Sequence, residues 1–600
     1  MPGLLGIISK TNKPVPQKSL DRMIISLQHE PDYIINRFAF HENHFLIANI
    51  SINSNDNSIQ YFKDSLSKDS CIIWGKIFNY EELRQELAQK KIVLHGTSDA
   101  ELLLSLYNQF GDSFLSKLNG WFNLLIFSPS HNKLIIANDR FGLLPLYYYQ
   151  NDKYFFFAPE IKAIIGDSAV EKKIRIQSFC EYMQYECIFD DKTYFENIFR
   201  LPPSTMLIFR HDKLEKHKYW TWEEYLQLPA LSESEFLDKC NDVLEKATIR
   251  CFRNCTNAVI SLTGGIDTRA IMAALPENHS IEKTITFGSH EYVPDNIISK
   301  KLSEIFGIPH TFINTSENAI NIDVVNNGVY ISDGMCNVFA GLDISESFKK
   351  QFKNKIVIKG QYGSQILHAQ FQLKPLLNQN TWGLVKDLFN GDIDRGYNPD
   401  VSLQSIPPDV LKNDLCFMIQ EEIRHHWIGY LAIQNSIADV RTPYMDSDLI
   451  SLLFQCPKEL NVDRVQKLFI RKYNIQLANI PTDKGVLIGK PSILSLACAI
   501  KYGTGYFLHR ATTARRRLPA FLHLNKLPFS VLLNPGEIMR KNLKKDIEQV
   551  LFDENAIKRD LFNQKKVKTI FDIHMRNIKD YSRELGRILV LELFFRNFVD

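Results

Sequence analysis

Val259-Ile260-Ser261-Leu262-Thr263-Gly264-Gly265-Ile266-Asp267-Thr268-Arg269 is the stretch on which the fold turns. Its β-branched apolar start reads as a buried strand. Thr263-Gly264-Gly265 reads as a turn, and Ala270 to Leu275 as a helix. A strand that delivers a glycine turn onto a helix start makes an anion site, because the first helical N–H groups lack partners and carry the positive end of the dipole. Glycine lets the backbone approach a phosphate closely. Asp267, inside the turn, is placed to hold Mg²⁺ on such phosphates. Two commoner phosphate loops are excluded, since neither Gly-Lys-Ser/Thr nor G-x-G-x-x-G is present here.

Working outward, Thr284 to Gly288 reads as a second buried strand, Asp295 to Phe306 as a helix and His310 to Ile313 as a third strand. Lys355 to Lys359 reads as a further one. Buried strands alternating with helices argue a doubly wound parallel sheet. Residues 1 to about 210 differ: short strands (Phe45–Ile52, Cys71–Ile77, Leu134–Ala137, Tyr154–Ala158, Thr205–Phe209) alternate with polar turns and two helices, Tyr80–Lys90 and Asp99–Phe110. Ser98 is the expected N-cap of the second helix.

Six hundred residues exceed one core. The boundaries expected are 1–210, a linker at 211–235, and 236–600. Apolar content of 45% and charged content of 23% are those of a globular chain, and a net charge of +3 favours no class of partner. No signal peptide or membrane-length apolar run is read, so a cytoplasmic location is expected. The ten scattered cysteines show no metal-ligand spacing and read as reduced thiols.

The loop 263–268 resembles the S-G-G-x-D-S pyrophosphate loop of ATP pyrophosphatases, with Thr263 and Thr268 in the serine positions. Met1-Pro2-Gly3-Leu4-Leu5-Gly6-Ile7 resembles the Met-Cys-Gly start of class II glutamine amidotransferases. Trp74-Gly75-Lys76-Ile77-Phe78-Asn79 is similar to their Asn-Gly-Glu-Ile-Tyr-Asn, and Asp139 to Tyr148 and Ala158 to Ala163 are similar to later segments. Together these resemble the asparagine synthetase family over nearly the whole chain. The fold so implied is an N-terminal Ntn-hydrolase-like αββα sandwich, then a doubly wound parallel-sheet ATP-pyrophosphatase domain with a helical C-terminal part.

Against that resemblance the glutaminase set is degenerate. Pro2 stands where the family has its cysteine nucleophile and cannot form a thioester. Trp74 replaces the oxyanion asparagine, Lys76 replaces the glutamate that pairs with glutamine's ammonium, and Asn49 falls at the carboxylate-clamping arginine. Asp99 alone survives, as a residual ligand or as a capping or surface carboxylate. No ammonia supply is expected from such a domain.

The family's synthetase half implies ATP and Mg²⁺. The ATP set is Leu262, Thr263, Gly264, Gly265, Ile266, Asp267, Thr268, Phe287, Lys359 and Gly360, with Leu262 and Phe287 at strand ends beside the adenine. Gly360-Gln361-Tyr362-Gly363-Ser364-Gln365 resembles Gly-Glu-Gly-Ser-Asp-Glu, but Gln361, Ser364 and Gln365 stand at acid positions. Asp267 and Ser364 are the metal candidates, Ser364 being much the weaker ligand. Loss of the acid at Gln361 counts against aspartate as substrate. Asp439 to Asp446 resembles Val-Arg-x-Pro-Phe-Leu-Asp, with Arg441 and Asp446 read as a buried ion pair ahead of a catalytic role. Lys467 and Arg471, at i,i+4, match a basic pair of the family. Lys484 is the candidate ammonium beside the adenylate, with Asp267 the other catalytic candidate, and a solvated loop lysine is the alternative.

The function implied is ATP-dependent amide formation with an amine of the substrate itself, as in the family's lasso-peptide macrolactam and β-lactam synthetases. Its substrate is then a carboxylate, preferably on a peptide, and a leader-processing or protease partner would accompany the lasso type. A synthetase using free ammonia or another amine, and a non-catalytic nucleotide-binding scaffold, remain open. The basic stretch Arg510, Arg515, Arg516, Arg517 and Lys526 carries no nucleic-acid motif, so a solvated face is expected and no nucleic acid partner.

Overall fold

The computed structural model describes residues 1–11, 13–52, 60–210, 213–276, 279–288, 290–315, 320–367, 385–390, 397, 399–457, 460, 463–489, 493, 496–497, 500 and 535–600. The basic stretch 510–517 with Lys526 therefore lies outside the described residues.

The N-terminal strands are β1 (Gly3–Ser9), β2 (Ile34–Phe40), β3 (Phe45–Ser51), β4 (Gln60–Lys63), β5 (Ser70–Ile77) and β6 (Gly120–Ser128). They continue with β7 (Lys133–Asn138), β8 (Tyr147–Gln150), β9 (Tyr154–Ala158), β10 (Ile198–Arg200), β11 (Thr205–Arg210) and β12 (Lys213–Lys218). They form two six-stranded sheets, ordered β10-β8-β9-β1-β3-β2 and β12-β11-β7-β6-β5-β4, with antiparallel pairing throughout. One face of each sheet meets the other across a core holding Leu4, Ile47, Ile72, Leu125 and Phe157. The helices Gln17–Leu27 and Ile161–Ile165 cover the outer face of the first sheet. Tyr80–Gln89 and Asp99–Phe110 cover that of the second. The layers are those of the expected αββα sandwich. Ser98 caps its helix as its sequence asks, its Oγ accepting from Ala100 N at 3.2 Å.

The stretch expected as a linker from 211 opens instead with β12, which pairs along its length with β11, Thr205 facing Lys218. Beyond it Trp222 lies between the two halves, with ring centroids 5.7 Å from Phe141 and 5.8 Å from Phe454. The helix Glu233–Cys251 follows, started by a full capping box between Ser232 and Glu235.

The second half is built on a five-stranded parallel sheet. Its strands are β13 (Ala258–Ser261), β14 (Ile281–Gly288), β15 (His310–Asn314), β16 (Ile356–Lys359) and β17 (Asp439–Arg441). The order is β15-β14-β13-β16-β17. The chain starts at the central strand, runs outward to one edge, and returns to the other side of β13. That reversal is the point at which an open parallel sheet leaves a crevice beyond its carboxyl ends. The Thr263–Thr268 turn emerges there, between β13 and the helix Asp267–Ala273. Helices complete the chain, closing with Gln564–Met575 and the nearly all-buried Ser582–Phe598. No helix among the described residues is long and apolar enough to cross a membrane. The nine described cysteines are free thiols.

Candidate functional site

The turn after β13 is held from three directions. Gly264 N donates to Asp295 Oδ1 at 2.7 Å, so a carboxylate from the start of the Pro294–Ile305 helix sits on one of the turn's N–H groups. Asp483 N donates to Gly264 O at 3.2 Å, bringing the neighbouring Lys484 to the turn. From below, the fully buried Arg269 guanidinium donates to Gly264 O at 3.0 Å, Leu477 O at 3.2 Å, Pro481 O at 3.1 Å and, very closely, Ile480 O. Arg269 thus bolts the Lys484 segment to the turn.

Asp295 and Asp483 crowd the same glycine, and a Cβ on Gly264 would meet Asp483 Cβ at 3.0 Å and Asp295 Oδ1 at 3.2 Å. Burial first, then the Asp483 carboxylate, push the Asp295 carboxyl up to about 6, while the Gly264 N–H and Lys484 pull against them. Burial likewise raises Asp483. A carboxyl raised in the folded chain binds a proton on folding between its ordinary value and about 6. Its contribution is full at acid pH and is lost as pH rises through about 6. Asp295→Asn, which keeps an oxygen for Gly264 N, is therefore expected to raise the urea midpoint over the parent at pH 8 and to leave it little changed at pH 4.

Asp267 opens its helix and turns toward the β16 segment. Ser364 N and Oγ donate to its Oδ2 at 3.2 and 2.7 Å, and Gln466 Nε2 donates to Oδ1 at 2.7 Å. Tyr444 OH donates to the Asp267 carbonyl at 2.8 Å. Gly360 and Gly363 are required by this closeness: a Cβ at 360 would lie 2.8 Å from Thr268 N, and one at 363 would lie 2.8 Å from the Asp267 carboxyl carbon. The two metal candidates are thus brought together, Ser364 donating to the Asp267 carboxylate. Among the described residues no group of three or more His, Cys, Asp and Glu side chains could hold a metal ion. The donor set fits a Mg²⁺ carried on nucleotide phosphates and touched by one carboxylate, a mode in which Mg²⁺ keeps most of its waters. It does not fit a cage built by protein alone.

The remaining expected nucleotide residues divide. Thr263 is exposed and accepts from Gly265 N at 3.3 Å, and Ile266 is half-buried. Phe287 is half-buried against Phe348, 5.0 Å between centroids. Leu262 has no exposed surface, and its N–H and C=O are bonded to Ile285 O and Thr286 Oγ1. Lys359, at the carboxyl end of β16, is lowered by burial, with Asp343 pulling the other way. Arg441 and Asp446 are both buried and ion-paired, but not to each other. Arg441 pairs with Asp439 at 2.7 Å, and Asp446 pairs with Arg250 at 3.0 Å while accepting from Asn119 Nδ2 at 2.9 Å. Lys467 and Arg471 share the Asp463–Tyr473 helix with Gln466, and Arg471 Nε donates to Ile488 O. Gln466, Arg269, Asp295 and Asp483 were not singled out as site residues from the sequence. Only Asp295 had a signal, as an acid opening the helix after the second strand.

The degenerate set gathers in the N-terminal half. Pro2, Trp74 and Lys76 line one cavity of about 60 Å³ with Trp121 and, from β17, Asp439 and Arg441. Asn49 is buried, its Nδ2 reaching Ile73 O at 3.4 Å. Asp99 is no surface carboxylate: it is fully buried, accepts from Ile77 N at 3.2 Å and pairs closely with Arg253. Gly75 holds φ at +116°, where a side chain would strike the Trp121 carbonyl.

Residues 1–220 match the family described as a glutamine amidotransferase domain. A putative asparagine synthetase of Methanocaldococcus jannaschii is 26% identical over 308 residues, 48% of this chain and 59% of that protein. Asparagine synthetase 1 of Bacillus subtilis is 26% identical over 326 residues, 51% of this chain and 49% of that one. The chain is a homologue of asparagine synthetases. It spans about half the length of the curated relatives it matches. A Gibberella zeae protein named amidase chry2 is 25% identical over 300 residues, 46% of this chain and 43% of its own length. Among solved structures, glutamine phosphoribosylpyrophosphate amidotransferase of B. subtilis, complexed with ADP and GMP, aligns over 52% of this chain and 65% of its own with 16% identity and a TM-score of 0.26. In this asparagine synthetase homologue the glycine turn and the cavity lined by Pro2, Trp74 and Lys76 lie on two halves joined through Asn119, Asp446, Arg250, Asp99 and Arg253.

Proposed function

We propose that the chain is an ATP-dependent amide ligase that adenylates a carboxylate, most simply one on a peptide, and condenses it with an amine of the same substrate. A macrolactam synthetase of the lasso-peptide type is the leading form, with a β-lactam-type synthetase as the smaller-substrate version. The observation that carries this reading is the glycine turn at the topological switch of the parallel sheet, with Asp267 and the Lys484 segment converging on it. In the first step a substrate carboxylate oxygen attacks the α-phosphorus, the Pα–O–Pβ bond breaks and pyrophosphate leaves. In the second the amine attacks the acyl carbon, loses a proton, and AMP departs. Residues Thr263 to Thr268 would cradle the pyrophosphate through their N–H groups. Asp267 would hold Mg²⁺, which when bound would supply charge neutralisation for the leaving pyrophosphate. Lys484 would offset the charge that grows at the α-phosphate and then at the acyl oxygen.

The amine is assigned to the substrate because the amidotransferase half offers neither a cysteine at Pro2 nor a free Asp99. Incubation with glutamine is expected to give no ammonia above a heat-treated control, and glutaminase turnover would overturn this part of the reading. The test of the whole is product identity. With ATP and a candidate precursor peptide, AMP and pyrophosphate should appear in equal amounts, and Lys484→Ala should slow both by about 10². ADP and phosphate as products would refute adenylation, and turnover with free ammonium as the required amine would favour the asparagine synthetase-like alternative. One observation favours a second reading, a nucleotide-binding scaffold: Ser364 and Gln466 already occupy both oxygens of Asp267. ATP bound without turnover on any carboxylate would select it.

A further inference from the structure

Gln466 reaches Asp267 from the Asp463–Tyr473 helix, 199 residues on in the chain, and is 2% exposed. Both N–H groups of its amide are engaged: Nε2 donates to Asp267 Oδ1 at 2.7 Å and to Tyr444 OH at 3.0 Å. The Tyr444 hydroxyl gives its own hydrogen to the Asp267 carbonyl at 2.8 Å, so its oxygen accepts from Gln466. Gln466, Tyr444 and Asp267 thus close a ring of directed bonds in which the carboxamide supplies two donors. The ring ties the Asp267 side chain to its own main chain and so fixes the orientation of the carboxylate.

A carboxylate offers about four lone-pair sites. Ser364 N and Oγ fill those of Oδ2, at 3.2 and 2.7 Å, and Gln466 fills one side of Oδ1. What remains is a lone pair on Oδ1. Gly363 leaves that oxygen uncovered, since a Cβ at 363 would lie 2.9 Å from it. A cation therefore meets Asp267 through a single oxygen. Mg²⁺ suits such a contact, because its small octahedral shell keeps several waters. The larger shell of Ca²⁺ gains more from a carboxylate that grips with both oxygens.

We propose that Gln466 is a positioning residue that selects the cation at the nucleotide site: by occupying one side of Oδ1 it confines Asp267 to a one-oxygen contact and so favours Mg²⁺ over Ca²⁺. The inference rests on the adenylating-ligase reading, in which Asp267 meets the cation carried by ATP. Gln466 acts in this role only through Asp267.

α,β-Methylene-ATP, which cannot be cleaved at the bond in question, reads cation choice apart from turnover. Titration calorimetry of the full chain should show its Mg²⁺ complex binding at least about tenfold more tightly than its Ca²⁺ complex. Gln466→Met keeps the length of the side chain and removes both donors, and should narrow that ratio at least about fivefold. Ser364→Ala, at an exposed position, opens a lone pair on Oδ2 and should narrow it in the same direction. Tyr444→Phe removes one acceptor of the Gln466 amide but leaves the donor on Oδ1, so the ratio should stay within about twofold of the parent. Urea midpoints measured beside the titrations show which variants are folded. A parental ratio in folded Gln466→Met or in Ser364→Ala, or an equal narrowing in Tyr444→Phe, overturns the proposal and leaves the ATP site standing. Equal affinity of the parent for the two complexes overturns it as well. Binding of neither complex removes the nucleotide site itself, and this inference with it.

Discussion

Asp267→Ala is expected to lower ATP-dependent pyrophosphate release by at least about 10², with little loss of stability. The side chain is half-buried at a helix start and meets Ser364 and Gln466 through its two oxygens. Removing it takes away a carboxylate placed to touch a phosphate-borne cation at the helix start, while Gln466 Nε2 keeps the Tyr444 oxygen at 3.0 Å. The fold therefore has a fallback and the chemistry does not. Asp267→Asn sharpens the result, because its oxygen can still accept from Ser364 or Gln466 but carries no charge. If positioning of the 360–364 segment were the whole role, Asn would rescue activity; if charge is needed, Asn will be as inactive as Ala. Pyrophosphate release by a coupled assay, with urea midpoints measured beside it, separates the two. Parental rates in both variants would remove the Thr263–Thr268 turn from the active site.

What the sequence made legible was local and periodic. The strand ending at Ser261 and the helix Asp99–Phe110 with its Ser98 cap are where the apolar spacing and cap put them, while the loop helix opens at Asp267, three residues before the Ala270 expected. They needed only neighbours within a few residues. β12 was misread because it is an edge strand with a single half-buried apolar residue, Leu214, among exposed polar ones, so no alternation marks it. The candidate site was legible as a turn but not as a network. Asp267 and Gln466 are 199 residues apart, and Asp99 and Arg253 are 154 apart. Nothing in either neighbourhood names the partner. Arg441 and Asp446, five residues apart in one motif, invited pairing with each other. β17 and the cap of the next helix instead aim them at different neighbours, Asp439 and Arg250. A motif records which residue types a site holds, whereas the choice among partners is made by topology.

The same point gives the largest expected effect on stability. Arg269, the last residue of the opening motif, is fully buried, and burial pushes its guanidinium down to about 10 with Asp483 opposing. It donates to four carbonyls, one in the turn and three in the segment 477–481. Arg269→Met fills much of the volume and removes every donor, leaving those carbonyls to lose their bonds together. Breaking a buried charged network in this way costs about 3–5 kcal/mol. Arg269→Lys keeps the charge on one nitrogen that cannot span both segments, so an intermediate loss is expected. The measurement is the urea midpoint with its slope, together with pyrophosphate release under conditions where the variant is still folded. Because Arg269 is what ties Lys484 to the turn, the folded fraction of Arg269→Lys should also be slower than its stability alone explains. A parental midpoint in Arg269→Met would mean that the 477–481 carbonyls find other donors and that the two segments are not joined through this guanidinium.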